Sequence, residues 1–267
     1  MLLFNWLRGM IRGEAADFKF AAADVSACGL VRSENQDHLL SIPDAGFFCI
    51  ADGMGGGKGG ALASQWVCES LSMSAGSSEF PTLDGDGRMR LACYALQQAN
   101  DRIRAYAREK GYRSMGATAA VMAFAPQDWS HPRIAHAGDS RVYRLRRGEL
   151  QLLTNDHTVG GEMSRKTISR TEADNLKSRS NPLSHILTRA VGTEFRVRPE
   201  CQTVEARPGD RFLLCTDGVH DMLSDGEIAD AMRGRKNPGK IVRDLEQGII
   251  AAGAGDNYSM ICVEIRL

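Results

Sequence analysis

The chain has 267 residues, 43% of them hydrophobic, with 33 basic and 33 acidic side chains. That apolar share supplies a large core, and the balanced charge gives no reason to expect a nucleic-acid backbone or an anionic membrane as partner. Seven cysteines without a C-x-x-C pair, with Cys49, Cys215 and Cys262 inside apolar runs, read as reduced core residues of a cytosolic protein rather than a disulfide framework.

Residues 1–17 read as a leader. Its apolar side chains, among them Leu2, Phe4, Trp6 and Ile11, are interrupted by Arg8 and Arg12, so the stretch is too short for a membrane span and lacks a signal-peptide layout. A short interfacial or partner-binding helix is the alternative. Strands are expected at Phe20 to Cys28, His38 to Ile42 and Phe47 to Ala51, with Pro43 to Gly46 as a hairpin turn. A helix follows from Gly60 to Met73. Gly76 to Gly87, rich in Ser, Gly and Asp, reads as an exposed loop. A second helix carries Ala92, Leu96, Ala99, Ile103 and Tyr106 on one stripe and stops near Gly111.

Strands resume at Thr118 to Phe124, Arg133 to Ala137, Arg141 to Leu145 and Glu149 to Leu153, a stretch that reads as an antiparallel meander. From about 158 to 181 the chain turns polar, with Arg165, Lys166, Arg170, Lys177 and Arg179 against few acids. We read it as a surface flap with one short helix around Glu172. Strands near Cys201 to Ala206 and Arg211 to Thr216, helices at Asp225 to Met232 and Pro238 to Ala252, and a last strand at Tyr258 to Ile265 complete the chain. Strands and helices cluster rather than alternate, which favours α+β with antiparallel sheets, and residues 18–267 read as one domain.

Three apolar runs end in an acid beside glycine: Phe47 to Asp52-Gly53, Ile134 to Gly138-Asp139, and Phe212 to Asp217-Gly218. A fourth acid, Asp256, precedes the last strand. One such pair is ordinarily a turn. Several, each delivered by a buried strand, point to a shared cation, because a carboxylate is costly to bury without one. Oxygen donors from distant segments, without Cys or His at ligand spacing, suit Mg²⁺ or Mn²⁺ rather than zinc.

The segments Arg32-Ser-Glu-Asn-Gln-Asp37, Asp52-Gly-Met-Gly-Gly56, Gly116-Ala-Thr118, Gly138-Asp-Ser-Arg141, Leu153-Thr-Asn-Asp-His157, Leu187-Thr-Arg-Ala-Val-Gly192, Asp217-Gly-Val-His-Asp221 and Asp256-Asn257 occur in the order of a known family. The chain resembles the metal-dependent serine/threonine protein phosphatases of type 2C in their compact bacterial form, over roughly Asp24 to Glu264. The resemblance implies a four-layer α-β-β-α sandwich with two tightly held Mn²⁺ or Mg²⁺ ions in a cleft at one end. Asp52 would bridge the ions, the carbonyl of Gly53 would bind one, and Asp217 and Asp256 would hold the other. A hydroxide shared by the ions would attack the phosphate of phosphoserine or phosphothreonine directly. Arg32 would grip the phosphate. Asp37 would act through a metal-bound water. Asp139 and Asp221 would hold a third, weaker ion, a reading that for Asp139 weighs equally with turn formation.

His136, His157 and His220 read as structural. Gln36 replaces a glutamate, and Met54 a histidine general acid, found in other members. The family reading implies phosphorylated proteins as substrates, a serine/threonine kinase as the opposing partner, a monomer, a cytoplasmic location, and neither nucleic-acid binding nor stable membrane insertion. A pseudophosphatase that binds phosphoproteins without turnover is the alternative; its mark, a missing bridging acid, is absent. A two-metal nuclease is disfavoured by the neutral charge.

Overall fold

The computed structural model describes residues 20–55, 58–167, 169–178, 180–234 and 236–266. The leader, Gly56 of the second signature and Arg179 of the flap lie outside the described residues.

Eleven strands are described: β1 (Phe20–Ala27), β2 (Asp37–Ile42), β3 (Phe47–Met54), β4 (Gly116–Ala117), β5 (Ala119–Ala125), β6 (Asp128–Ala137), β7 (Arg141–Arg146), β8 (Glu149–Leu152), β9 (Glu200–Thr203), β10 (Arg211–Cys215) and β11 (Tyr258–Ile265). One sheet has the order β1-β11-β10-β7-β8 and the other β2-β3-β5-β6-β9, with β4 on the end of β3. The pairings are antiparallel. Seven helices accompany them: α1 (Lys58–Ala75), α2 (Gly85–Lys110), α3 (Val159–Ser164), α4 (Arg170–Lys177), α5 (Asp217–His220), α6 (Asp225–Met232) and α7 (Pro238–Ala251).

Three apolar layers hold this α+β sandwich together. Phe48, Ile50, Met122, Phe212, Leu214 and Ile261 pack between the two sheets. The alternate residues of the same strands face outward: Phe47 and Cys49 meet α1 and α2, while Leu213, Cys215 and Cys262 meet α6 and α7. Central strands such as Phe47–Met54 are therefore buried on both faces, which explains their unbroken apolar runs.

Three expectations need correction. The stretch from 118 to 153 is two hairpins in different sheets, not a meander, because Gly138-Asp139-Ser140 carries the chain from β6 across to β7, which pairs with β10. Residues 76–87 are not simply an exposed loop. Phe80 is buried against Phe47, and Asp84 Oδ1 accepts from the N–H of Gly87 at 2.7 Å, capping α2 eight residues before its first expected apolar residue, Ala92. The flap contains two helices, each with a hydroxyl cap: Thr158 accepts from the N–H of Gly161 and Ser169 from that of Glu172.

Candidate metal centre

The sequence brings its acids together through strand register and two close backbone approaches. Asp37 at the start of β2 lies directly opposite Asp52 near the end of β3. Asp52 is held by its backbone: its N–H donates to Thr118 Oγ1 at 2.9 Å, and its carbonyl accepts from the Thr118 N–H at 2.8 Å. Thr118 is steadied in turn by Ser140 at 2.7 Å. A Cβ on Gly53 would stand 2.1 Å from the carbonyl oxygen of Gly60 and 2.7 Å from that of Gln36, so only glycine fits between α1 and β2. Gly218 is similarly confined, since a Cβ there would lie 1.9 Å from the Asn257 carbonyl oxygen. That approach packs the first turn of α5, which presents Asp217, against the residue following Asp256.

Asn257 ties the remaining pieces. Its Oδ1 accepts from the Gln36 N–H at 2.9 Å, and its Nδ2 donates to the carbonyls of Cys28 and Glu34, each at 2.9 Å. Its own N–H donates to Asp256 Oδ1 at 2.8 Å. The Arg32 loop and the Asp256 turn thereby form one wall. Arg32 Nη2 donates to Asp256 Oδ2 at 2.7 Å, a contact that holds the guanidinium's proton more firmly and leaves more than half of the arginine side chain exposed.

Arg32, Asp52, Gly53, Asp139, Asp217 and Asp256 all line one cavity of about 630 Å³. Asp221 lies in an adjoining cavity of about 770 Å³, whose wall also includes Asp139, His185 and Asp217. Asp37 is buried beneath, 3% exposed, with Oδ2 accepting from Thr216 Oγ1 at 2.8 Å and Oδ1 meeting no hydrogen-bond partner. His220 Nδ1 lies 3.5 Å and His185 Nδ1 3.7 Å from the Asp221 carboxylate.

The electrostatics are unfavourable for the protein alone. Burial, then the charges of Asp217, Asp37 and Asp139, push the Asp52 carboxyl far above its ordinary range. Burial and Asp217 do the same to Asp139. Asp217 is raised mainly by burial, with His220 pulling the other way. Asp37 is pushed up to about 7 by burial and Asp217. Such a cluster either takes up protons or takes a cation. The all-oxygen donors, the buried unpartnered Oδ1 of Asp37 and the mutual repulsion fit hard divalent ions: Asp52, the Gly53 carbonyl, Asp217 and Asp256 could hold a pair, and Asp139 and Asp221 could share another.

Thr118, Ser140, Thr216 and Asn257 position these acids, and sequence reasoning gave them no role. A hydroxyl or amide that bonds backbone across segments leaves no periodic trace; only the Asp256-Asn257, Gly116-Ala-Thr118 and Gly138-Asp-Ser-Arg141 segments marked three of them. His157 is fully buried, stacked on His136 with ring centroids 4.5 Å apart, and 3.2 Å from Glu200.

A sequence model of the family described as protein phosphatase 2C matches residues 31–237. Protein phosphatase PhpP of Streptococcus pneumoniae is 30% identical over 242 residues, which cover 89% of this chain and 94% of that protein. Serine/threonine protein phosphatase PstP of Mycobacterium tuberculosis is 33% identical over 239 residues, 89% of this chain and 43% of that protein. Among solved structures, PppA, described as a key regulatory component of the T6SS in Pseudomonas aeruginosa, superposes with a TM-score of 0.79 at 30% identity, covering 92% of this chain and 97% of that one. The catalytic domain of PstP in complex with two manganese ions superposes with a TM-score of 0.77 at 29% identity, covering 93% of this chain and 99% of that one.

Proposed function

The chain belongs to the protein phosphatase 2C family and is a protein serine/threonine phosphatase; on that premise we propose that it hydrolyses phosphoserine and phosphothreonine in proteins by direct attack of water, without a phosphoenzyme. The observation that carries this reading is the convergence of Asp52, Asp217 and Asp256 on one cavity with Arg32 at its rim. Two divalent ions held there, Mn²⁺ or Mg²⁺, would supply activation of water and compensation of phosphoryl charge.

The protein's own groups do the rest. Arg32 donates to Asp256 through Nη2, and its other N–H donors would grip two phosphoryl oxygens of an incoming phosphoresidue. Asp37, anchored through Oδ2 by Thr216, aims a second oxygen where it can accept from a water and orient it. Met54 lines the cavity without a proton to give, so the departing serine or threonine oxygen is protonated by solvent. Asp139 and Asp221, which share a cavity wall, would hold a third ion more weakly, since two protein ligands leave it mostly hydrated. The basic side chains of the flap, Arg165, Lys166 and Arg170, would select phosphoprotein substrates. No helix among the described residues is long and apolar enough to cross a membrane. The enzyme would act as a cytoplasmic monomer that opposes a serine/threonine kinase. No observation favours a pseudophosphatase.

The test is Mn²⁺-dependent hydrolysis of a phosphothreonine peptide. We expect activity to vanish with chelator and return with Mn²⁺, and Asp52→Asn to lower kcat by about 10²-fold or more, the scale of losing preorganised electrostatic stabilisation. Full turnover in excess chelator, or by folded Asp52→Asn, would sink the reading.

A further inference from the structure

Five of the seven cysteines are accounted for by position. Cys49, Cys68, Cys215 and Cys262 are buried in the outer core layers, and Cys28 donates to the Arg32 carbonyl at 3.1 Å. The other two, 108 residues apart in sequence, meet on the surface: Cys93 Sγ on α2 lies 3.8 Å from Cys201 Sγ on β9. The register explains the meeting. Cys201 pairs with Ala135, whose side chain is buried beneath α2, so Cys201 is turned to the same side, at the edge strand of its sheet. Cys93 is partly buried beside that layer, while Cys201 is exposed.

We propose that Cys93 and Cys201 form an oxidisable dithiol, a modification site for a small peroxide, with Cys201 as the attacking and Cys93 as the resolving sulfur. The Cys201 thiolate attacks one peroxide oxygen. The O–O bond breaks, the sulfur becomes a sulfenic acid, and the departing oxygen leaves as an alcohol or water after protonation. Cys93 then attacks that sulfur, the S–S bond forms and a second water departs. Two thiols are oxidised and one peroxide is reduced. Sulfurs at 3.8 Å need side-chain rotation to close to the disulfide length of about 2.05 Å. The hydrogen bond from Cys93 also draws the Cys201 thiol down to about 7, which raises its thiolate fraction at neutral pH.

The bond would extend an existing clamp. One turn beyond Cys93, Gln97 Oε1 accepts from the Val197 N–H at 3.1 Å; nearly one turn further, Asn100 Oδ1 accepts from the Gly192 N–H at 2.7 Å. Positions 97 and 100 of α2, which also donate to the carbonyls of Glu194 and Phe195, would then hold segment 192–201 by hydrogen bonds, and position 93 by a covalent link.

The experiment treats the folded, reduced protein with one equivalent of hydrogen peroxide. We expect the loss of two thiols and two hydrogens in the intact mass, a linked Cys93–Cys201 peptide pair, a higher thermal midpoint, and reversal by dithiothreitol with phosphatase activity retained. Cys93→Ser should leave a sulfenic acid on Cys201 that dimedone captures, and Cys201→Ser should abolish both products. Retention of all seven thiols, a bridge joining other cysteines such as the buried Cys49 and Cys68, or dimedone capture elsewhere in Cys93→Ser would overturn the proposal.

Discussion

Strand β10 has an aspartate beyond each end, and the two are treated in opposite ways. Asp210, before the strand and 1% exposed, is fully answered: Arg146 donates to both of its oxygens, at 2.8 and 2.6 Å, and the Arg207 N–H adds a third bond at 2.8 Å. Asp217, after the strand, faces Asp52, Asp139 and Asp256 across a cavity, with His220 partly offsetting its charge. For Asp210 the chain supplies the cation itself, as Arg32 does for Asp256; for Asp217, further compensation would have to arrive from solution. Buried polar groups without partners are costly enough that a stable protein retains a cluster of them only with such compensation.

That contrast can be broken most forcefully at Asp210. Asp210→Ala removes two of the Arg146 guanidinium's bonds and leaves it the carboxylate and carbonyl of Glu205; it should cost about 3 kcal/mol of stability, the low end for a buried ion pair losing one partner. Urea denaturation in chelator is the measurement. In the same assay Asp217→Asn should stay within about 1 kcal/mol of wild type or gain stability, because a repelling charge has gone. Equal losses in the two variants would show that the cleft acids also hold the fold together.

The same distinction governs what the sequence revealed. Strands β3, β10 and β11 were legible because burial on both faces leaves unbroken apolar runs, and the acids at or just beyond their ends stood out against them. Asp52, Asp217 and Asp256 could thus be grouped before any coordinates. The crossing at Gly138-Asp139-Ser140 was not legible, since two antiparallel hairpins and a meander share the same strand and turn signals. Helices α3 and α5 are six and four residues long, too short for a 3.6-residue period to register. Thr216 was silent because its hydroxyl reaches Asp37 across 179 residues of sequence, and Asn257, marked only as part of the Asp256-Asn257 segment, ties Gln36, Cys28 and Glu34 across more than 220.

Arg32 occupies the boundary between the two regimes: it is paired with Asp256, yet its side chain is 57% exposed. If it were a structural partner in the manner of Arg146, its removal would lower stability and spare kinetics. We expect the reverse. Arg32→Ala should raise KM for a phosphopeptide and cost about 1.5–3 kcal/mol in kcat/KM, the scale of a lost charged hydrogen bond. Arg32→Lys should recover only part, because an ammonium cannot present two parallel donors. Unchanged kinetics in both variants would place Arg32 outside the substrate's reach.

The smallest effect is expected at Gln36, and it tests the contrast by adding charge instead of removing it. Gln36 lines the cavity, its carbonyl accepts from the Gly53 N–H at 3.1 Å, and its side-chain oxygen lies against Gly60. Gln36→Glu keeps the shape and adds one more carboxylate to the cluster. In chelator the extra repulsion should lower stability by about 1 kcal/mol or less, an effect of the size expected for partly solvated charges. With Mn²⁺ present the sign should invert: the ion gains attraction, and the Mn²⁺ concentration for half activity should fall by up to about tenfold, or about 1.4 kcal/mol. Opposite signs in the two conditions are the signature of a site whose charge is balanced from outside. A variant that is destabilised in chelator and unchanged in its Mn²⁺ titration would mean that position 36 senses the acids without reaching the ions.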